Sequence, residues 1–222
     1  MISEAMEDYL KAIYTLGHAG PAGAVKTGSL AEALGSTAPS VTRMCKKLAR
    51  LGLVKHQPRR GATLMRDGER IALRVLRRHR LLELYLVEAL GLPWDRVGAE
   101  ADRREHVVSD KLEARLDAAL GYPTRDPHGD PIPALDGSID DPAWRRLGDV
   151  PADGQARVVR VPDRDPRLLR YLAEIGLVPA ADVSVVRREP LDGPLPVRAG
   201  DAQQQHVINR DIAGRISVST LA

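Results

Sequence analysis

The sequence predicts a mainly α-helical chain with a β-rich C-terminal domain, and three observations carry that expectation. Two short helical runs, 27–34 and 39–51, are separated by a Gly-containing turn of about three residues, which is helix-turn-helix spacing. A long apolar-periodic run starts at Asp67-Gly68 and reaches about Leu90. From residue 155 onward the apolar period changes from helical to alternating.

In chain order, residues 3–16 place Met6, Tyr9, Leu10, Ile13 and Leu16 at helical spacing behind a candidate N-cap, Ser3. Gly17 to Gly23 reads as a break. Gly35, Ser36 and Thr37 form the turn, and Pro39 opens the second helix, where proline is tolerated in the first turn. LVKH (53–56) and ATLM (62–65) flank QPRRG, a hairpin with a basic tip, so the N-terminal domain reads as a winged helix-turn-helix. A further helix is expected over about 94–120. The Pro- and Gly-rich stretch 121–154 reads as linker or irregular packed chain. QARVVRV, a short helix at 165–176, and four more alternating runs form the β-rich end.

Composition narrows function. Net charge is +3 over 222 residues, but the charge is unevenly spread. Residues 24–80 carry 14 Lys and Arg against Glu32, Asp67 and Glu69, a net of +11 between acidic flanks. Such a block points to a polyanion-binding module attached to something else. Cys45 is the only cysteine, which excludes an internal disulfide and a Cys-rich zinc site. No secretory leader and no apolar run of membrane-spanning length stands out, so a cytoplasmic location with no membrane partner is expected. Aromatics are 3% with no Phe, which argues against a base-stacking platform for single strands.

Double-stranded DNA is the expected polyanion. In a helix-turn-helix the second helix enters the major groove and its N-terminal polar residues reach base edges and phosphates. Thr37, Ser40, Thr42 and Arg43 occupy those positions, with Lys46, Lys47 and Arg50 further along and Arg59 and Arg60 at the wing tip. A basic, solvated helix pair in a ribosomal or interaction protein is the plainer alternative.

The second informative segment is GAEADRREHVVSD (98–110). On a continuous helix, Asp102, Glu105 and His106 fall within an arc of about 100°, with Glu105 along the apolar stripe. A carboxylate aimed into a core needs a partner or a metal. The trio is therefore either a chelate or a buried ion network with Arg103, Arg104 or Arg115. His79 and Glu83 share a helix face at i, i+4, either as ligands or as a surface pair, and Asp8 is otherwise a solvated helix-terminus acid.

Taken together, MEDYLKAIY (6–14), SLAEALGSTAPSVTRMCKKLARLGLV (29–54), RRHRLLELYL (77–86), EADRREHVVSDKLEARL (100–116) and DPHGDPIP (126–133) resemble the metal-dependent transcriptional repressors of the diphtheria-toxin-repressor and manganese-transport-regulator family. The resemblance implies a winged helix-turn-helix domain (1–72), a helical metal-binding and dimerisation domain (73–140), a linker (141–154) and an SH3-like (FeoA-type) small barrel (155–222). It implies a primary metal site of Asp8, Asp102, Glu105 and His106, a neighbouring site using His79 and Glu83, and DNA contacts from Thr37, Pro39, Ser40, Thr42, Arg43, Lys47 and Arg60.

Iron-type members of that family place Met where Asp8 stands and Cys where Asp102 stands. Two carboxylates there suit hard Mn²⁺, with Fe²⁺ as the alternative. The manganese branch carries a carboxylate where Lys11 stands, and the iron branch a His where Gly98 stands, a loss that Asp163 or Asp165 could offset. The implied function is a homodimeric repressor of metal uptake and homeostasis genes, binding a palindromic operator, with no catalytic residues and no small organic substrate. A metal-independent winged-helix regulator is the competing reading. A metallohydrolase using His79, Asp102, Glu105 and His106 is disfavoured, because no nucleophile motif or phosphate loop accompanies them.

Overall fold

A computed structural model of the chain describes residues 2–19, 23–200 and 203–221. It divides into two compact units. The first comprises the chain up to His79, Arg104–Asp110 and Pro133–Ile139; the second comprises Arg80–Arg103, Lys111–Ile132 and the chain from Asp140.

The first unit begins with α1 (Glu4–Ala19), whose first turns bond to the Ser3 carbonyl through the Met6 and Glu7 amides. The helix runs through Gly17 rather than breaking there. The Tyr14 ring stacks on His18, whose Nδ1 donates to the Tyr14 carbonyl at 2.8 Å. Part of the expected 17–23 break lies outside the described residues. Helices α2 (Thr27–Ala33) and α3 (Ala38–Arg50) follow. Gly35 takes a positive φ of 55° in the turn, and Thr37 caps α3 by accepting from the Ser40 amide. Val41, Cys45 and Leu48 lie on one face of α3 and join Met6, Leu10, Ile13, Leu30 and Val54 in the core of this unit.

The wing is β1 (Val54–Gln57) and β2 (Gly61–Leu64), paired antiparallel from Val54↔Leu64 to Gln57↔Gly61. Arg59 adopts φ 64° at the tip, the left-handed residue of a turn led by Pro58 and closed by the Arg60 amide on the Gln57 carbonyl at 3.1 Å. Gly61 is constrained: a Cβ there would lie 2.2 Å from the Val25 carbonyl oxygen, where the chain before α2 bridges to Ala62. Helix α4 (Arg66–Glu88) has Asp67 and Glu69 in its first turn, favourable at the positive end of the helix dipole.

The expected helix over 94–120 is instead two helices, α5 (Val97–Asp102) and α6 (Asp110–Ala119), joined by turns at 103–107. The β-branched pair Val107-Val108 followed by Ser109-Asp110 is helix-start chemistry, which favours a new helix over continuation.

In the second unit, six antiparallel strands form one sheet in the order β3-β8-β4-β5-β6-β7. They are β3 (Arg145–Arg146), β4 (Gln155–Arg160), β5 (Asp182–Val185), β6 (Leu195–Ala199), β7 (Gln204–Ile208) and β8 (Ser217–Thr220). Alternation along them buries Ala156, Val158, Val183, Val185, Leu195, Val197 and Val218. Helix α7 (Pro166–Glu174), capped by Asp165, adds Leu169 and Leu172 to that core, and α8 (Arg210–Ala213) precedes β8. Strand β3 and a 3₁₀ turn (Leu147–Asp149) fall within 141–154, the stretch expected as linker. Strand β3 pairs with β8, and Leu147 and Val150 are buried in the β-domain core, so these residues are folded. No helix among the described residues is long and apolar enough to cross a membrane.

Candidate metal centre and nucleic-acid interface

In the first unit, α1 carries Glu7 and Asp8, with Lys11 one helical turn beyond them. The 103–107 turn segment presents Glu105 and His106. The Glu105 side chain is fully buried and that of His106 is 8% exposed, against 43% for Asp8. His106 is held between carboxylates on both ring nitrogens: Nδ1 lies 2.6 Å from Glu7 Oε2 and Nε2 lies 2.9 Å from Asp8 Oδ1, with Glu105 Oε1 at 3.6 Å. Glu105 accepts from Lys11 Nζ at 2.6 and 2.8 Å and from His79 Nδ1 at 2.6 Å.

This electrostatic balance sets the protonation states. Burial by itself lowers the His106 pKa. The hydrogen bond to Glu7 and the charges of Glu105, Asp8 and Glu7 outweigh it, so the imidazole titrates above its ordinary value. Burial raises the Asp8 carboxyl, only partly offset by His106 and Lys11. Without metal, then, the converging acids face the Lys11 ammonium and an imidazole whose charged form they favour.

Ligand atoms of Asp8, Glu105 and His106 lie within 4.8 Å of one another, close enough for one ion. Two carboxylates and an imidazole are the donor set of a hard divalent cation such as Mn²⁺ or Fe²⁺, so these residues fit the group the sequence implies. Glu105 is buried as expected, though from a turn and not along a helix stripe. Asp102, the fourth expected ligand, is the exposed last residue of α5. Glu7 was not singled out in the sequence, and Lys11 was considered only as a departure from a family pattern. The i, i+4 and i, i+3 spacing of Lys11 to Glu7 and Asp8 was the available signal.

His79 and Glu83, expected to share a neighbouring site, each have a carboxylate or imidazole close by. His79 turns to Glu105, while Glu83 joins Asp126 and His128 in the second unit, a buried trio whose ligand atoms also lie within 4.8 Å. The 126–130 loop builds this cluster from its backbone. Asp126 Oδ1 accepts from the His128 and Asp130 amides at 2.8 and 2.9 Å. Gly129, at φ 89°, lets the loop press on β4, where a Cβ would meet the Val159 carbonyl oxygen at 1.9 Å. His128 is 1% exposed; its Nε2 donates to the Trp94 carbonyl at 2.9 Å. That tautomer leaves a lone pair on Nδ1, which has no hydrogen-bond partner and faces Glu83 Oε1 at 3.9 Å. Two acceptors facing each other inside a protein need a proton, a water or a cation between them. Burial, then the charges of Asp130 and Glu83, push the Asp126 carboxyl well up, with Arg80 opposing and Asp163 adding to the rise. The sequence signal for this cluster was the DPHGD string at 126–130, read above only as a family resemblance.

The nucleic-acid side is equally concrete. Thr37, Pro39, Arg43, Lys46, Lys47 and Arg50 are exposed on and before α3, and Ser40 and Thr42 are half-buried. Arg59 and Arg60 are exposed at the wing tip. Thr42 Oγ1 donates to the Ala38 carbonyl at 2.9 Å.

A basic winged helix-turn-helix coupled to a buried acid–imidazole cluster defines a DNA-binding regulator that answers to a metal ion. Comparison with known proteins makes that class specific. The family model of the iron dependent repressor N-terminal DNA binding domain matches residues 1–62, that of the iron dependent repressor metal binding and dimerisation domain matches 66–134, and the FeoA domain matches 145–220. The iron-dependent repressor IdeR of Mycobacterium tuberculosis is 36% identical over 194 residues, covering 82% of this chain and 84% of that protein. Among solved structures, a manganese-dependent transcriptional repressor in complex with manganese is 40% identical with a TM-score of 0.89, covering 97% of this chain and all of that one. The manganese regulator SloR is 29% identical with a TM-score of 0.79, covering 97% and 98% of the two chains.

The chain therefore belongs to the metal-dependent transcriptional repressors of the diphtheria-toxin-repressor family, in its long form with a C-terminal SH3-like domain. Members of this family are dimeric DNA-binding repressors and not enzymes.

Proposed function

We propose that this repressor is Mn²⁺-activated, acts as a homodimer in the cytoplasm, and binds a palindromic operator controlling metal uptake and homeostasis genes. The observation that carries the reading is the convergence of Asp8 on α1 with Glu105 and His106 within 4.8 Å. When bound, the metal supplies a divalent charge that several carboxylates can share. Asp8 ties α1 to the Glu105–His106 turn, so the position of the DNA-binding domain depends on how those acids are neutralised. Cys45, the only thiol in the chain, lies in the core of α3, leaving an oxygen-rich donor set that favours Mn²⁺ over softer ions.

Thr37, Pro39, Ser40, Thr42 and Arg43 are the base- and phosphate-contacting residues of this reading, and Lys47 and Arg60 hold the backbone. Glu83, Asp126 and His128 form a second cation locus, supported by the unpartnered Nδ1 of His128. Iron is the second reading for the activating metal, favoured by the 36% identity to an iron-dependent repressor.

Electrophoretic shift on the upstream region of a metal-transporter gene, titrating Mn²⁺, Fe²⁺ and chelator in parallel, tests all of this. The expected result is Mn²⁺-dependent retardation that chelator reverses. Retardation equal in all lanes would establish a metal-independent regulator instead.

A further inference from the structure

We propose that Lys11 is an internal competitor for Glu105, so that a divalent ion enters this site only by expelling an ammonium. The inference rests on the reading of Asp8, Glu105 and His106 as a metal locus and adds what sets its threshold.

Glu105 is fully buried, and a desolvated carboxylate requires a counter-charge. Lys11 Nζ supplies it, bonding both carboxylate oxygens at 2.6 and 2.8 Å, while His79 Nδ1 bonds Oε2 at 2.6 Å. The ammonium therefore engages the same oxygens that would ligate metal. An ammonium and a divalent cation repel at hydrogen-bond distance, so occupation of Glu105 by one excludes the other.

Lys11 is built to leave. Its side chain is 17% exposed, and its flexible four-carbon stem starts one turn from Asp8 on α1, so the charge can swing to water while the helix stays in place. The pair also bridges α1 to the Glu105 turn across 94 residues of sequence. The metal-free protein thus keeps this junction closed with its own cation. Metal must outcompete a tethered ligand, which shifts loading to higher free-metal concentration.

The test measures Mn²⁺ affinity by chelator competition and by calorimetry for the intact chain, Lys11→Met, Lys11→Arg and Glu105→Gln. Lys11→Met should bind Mn²⁺ at least about tenfold more tightly, although losing the pair lowers its metal-free melting temperature. Lys11→Arg, which keeps charge and pairing, should stay near the unmodified protein. In the unmodified protein, brief acetylation read by mass spectrometry should label Lys11 more with saturating Mn²⁺ than without, relative to Lys26 and Lys111. This arm holds even if Lys11→Met does not fold.

Mn²⁺ binding that is lost in Glu105→Gln but no tighter in Lys11→Met, or Lys11 labelling that does not rise, overturns the competitor role and leaves the metal locus standing. Mn²⁺ binding absent from the unmodified protein, or indifferent to Glu105→Gln, overturns the locus and with it this inference.

Discussion

Asp8→Ala separates metal sensing from folding. Asp8 lies 2.9 Å from His106, its side chain is 43% exposed, and burial raises its pKa, so the charged carboxylate is not favoured by the metal-free fold. Removing it should change metal-free stability by less than about 1 kcal/mol, the range of a partly exposed ion pair. With metal present the loss should be larger, because in the proposed site Asp8 is the α1 carboxylate that joins Glu105 and His106 on the ion. Allosteric couplings of about 1–3 kcal/mol correspond to operator binding about 5- to 150-fold tighter with metal than without. In Asp8→Ala that ratio should collapse towards one while metal-free affinity stays unchanged. Fluorescence anisotropy of labelled operator across a Mn²⁺ titration, beside thermal melts without metal, reads both. An Asp8→Ala protein with the unmodified protein's Mn²⁺ dependence would refute the reasoning.

His106 titrates above its ordinary 6.5, so it contributes stability that is fully present below that pH and lost as pH rises through its raised value. Melting temperature without metal should therefore fall as pH rises from 6.5 through the raised His106 value, while the increment from Mn²⁺, which needs neutral imidazole, should grow over the same window; a flat increment in scanning calorimetry would contradict this. Arg43→Ala should cost about 1–3 kcal/mol on the operator and relax preference at one position, as read by binding to a set of substituted operators. Lys47→Ala should weaken all sequences alike and reduce the salt slope by about one. His128→Ala should remove one bound metal per chain in equilibrium dialysis without abolishing the Asp8-dependent one, and unchanged stoichiometry would dismiss the second locus.

The parts of the fold that were legible are those written in neighbouring residues. Thr37, Pro39 and the apolar spacing of Val41, Cys45 and Leu48 announce α3 locally, and the PRRG tip announces the wing. Burial of Glu105 was legible as well, since an acid among apolar residues signals a partner. Its immediate scaffold was not: the wheel assumed one helix where Val107 to Asp110 restart the chain. Long-range pairings were invisible for a similar reason. Lys11 meets Glu105 across 94 positions and Glu7 meets His106 across 99, and no local pattern encodes such a meeting. The His128 cluster depends on an Asx-type turn at Asp126 and a left-handed Gly129, whose outcome depends on where β4 passes.

The two acid clusters differ in how their charge can be exchanged. In the first, the compensating cations are His106, which loses its proton at a pH somewhat above its ordinary value, and Lys11, which reaches solvent on a flexible stem. Both can yield to a divalent ion, the imidazole by losing its proton and the ammonium by swinging away. In the second, Arg80 lies 3.6 Å from Asp126 and 3.3 Å from Asp130, and a guanidinium does not deprotonate. There it is the acid that adjusts, because burial pushes Asp126 towards its neutral form. A cation entering beside His128 must hold Asp126 in its charged form against desolvation, but it meets ligands already placed by backbone hydrogen bonds. The first cluster is thus arranged for exchange, with α1 carrying both the displaced ammonium and one of the incoming ligands. The second is arranged for retention, which suits a structural cation better than a sensed one.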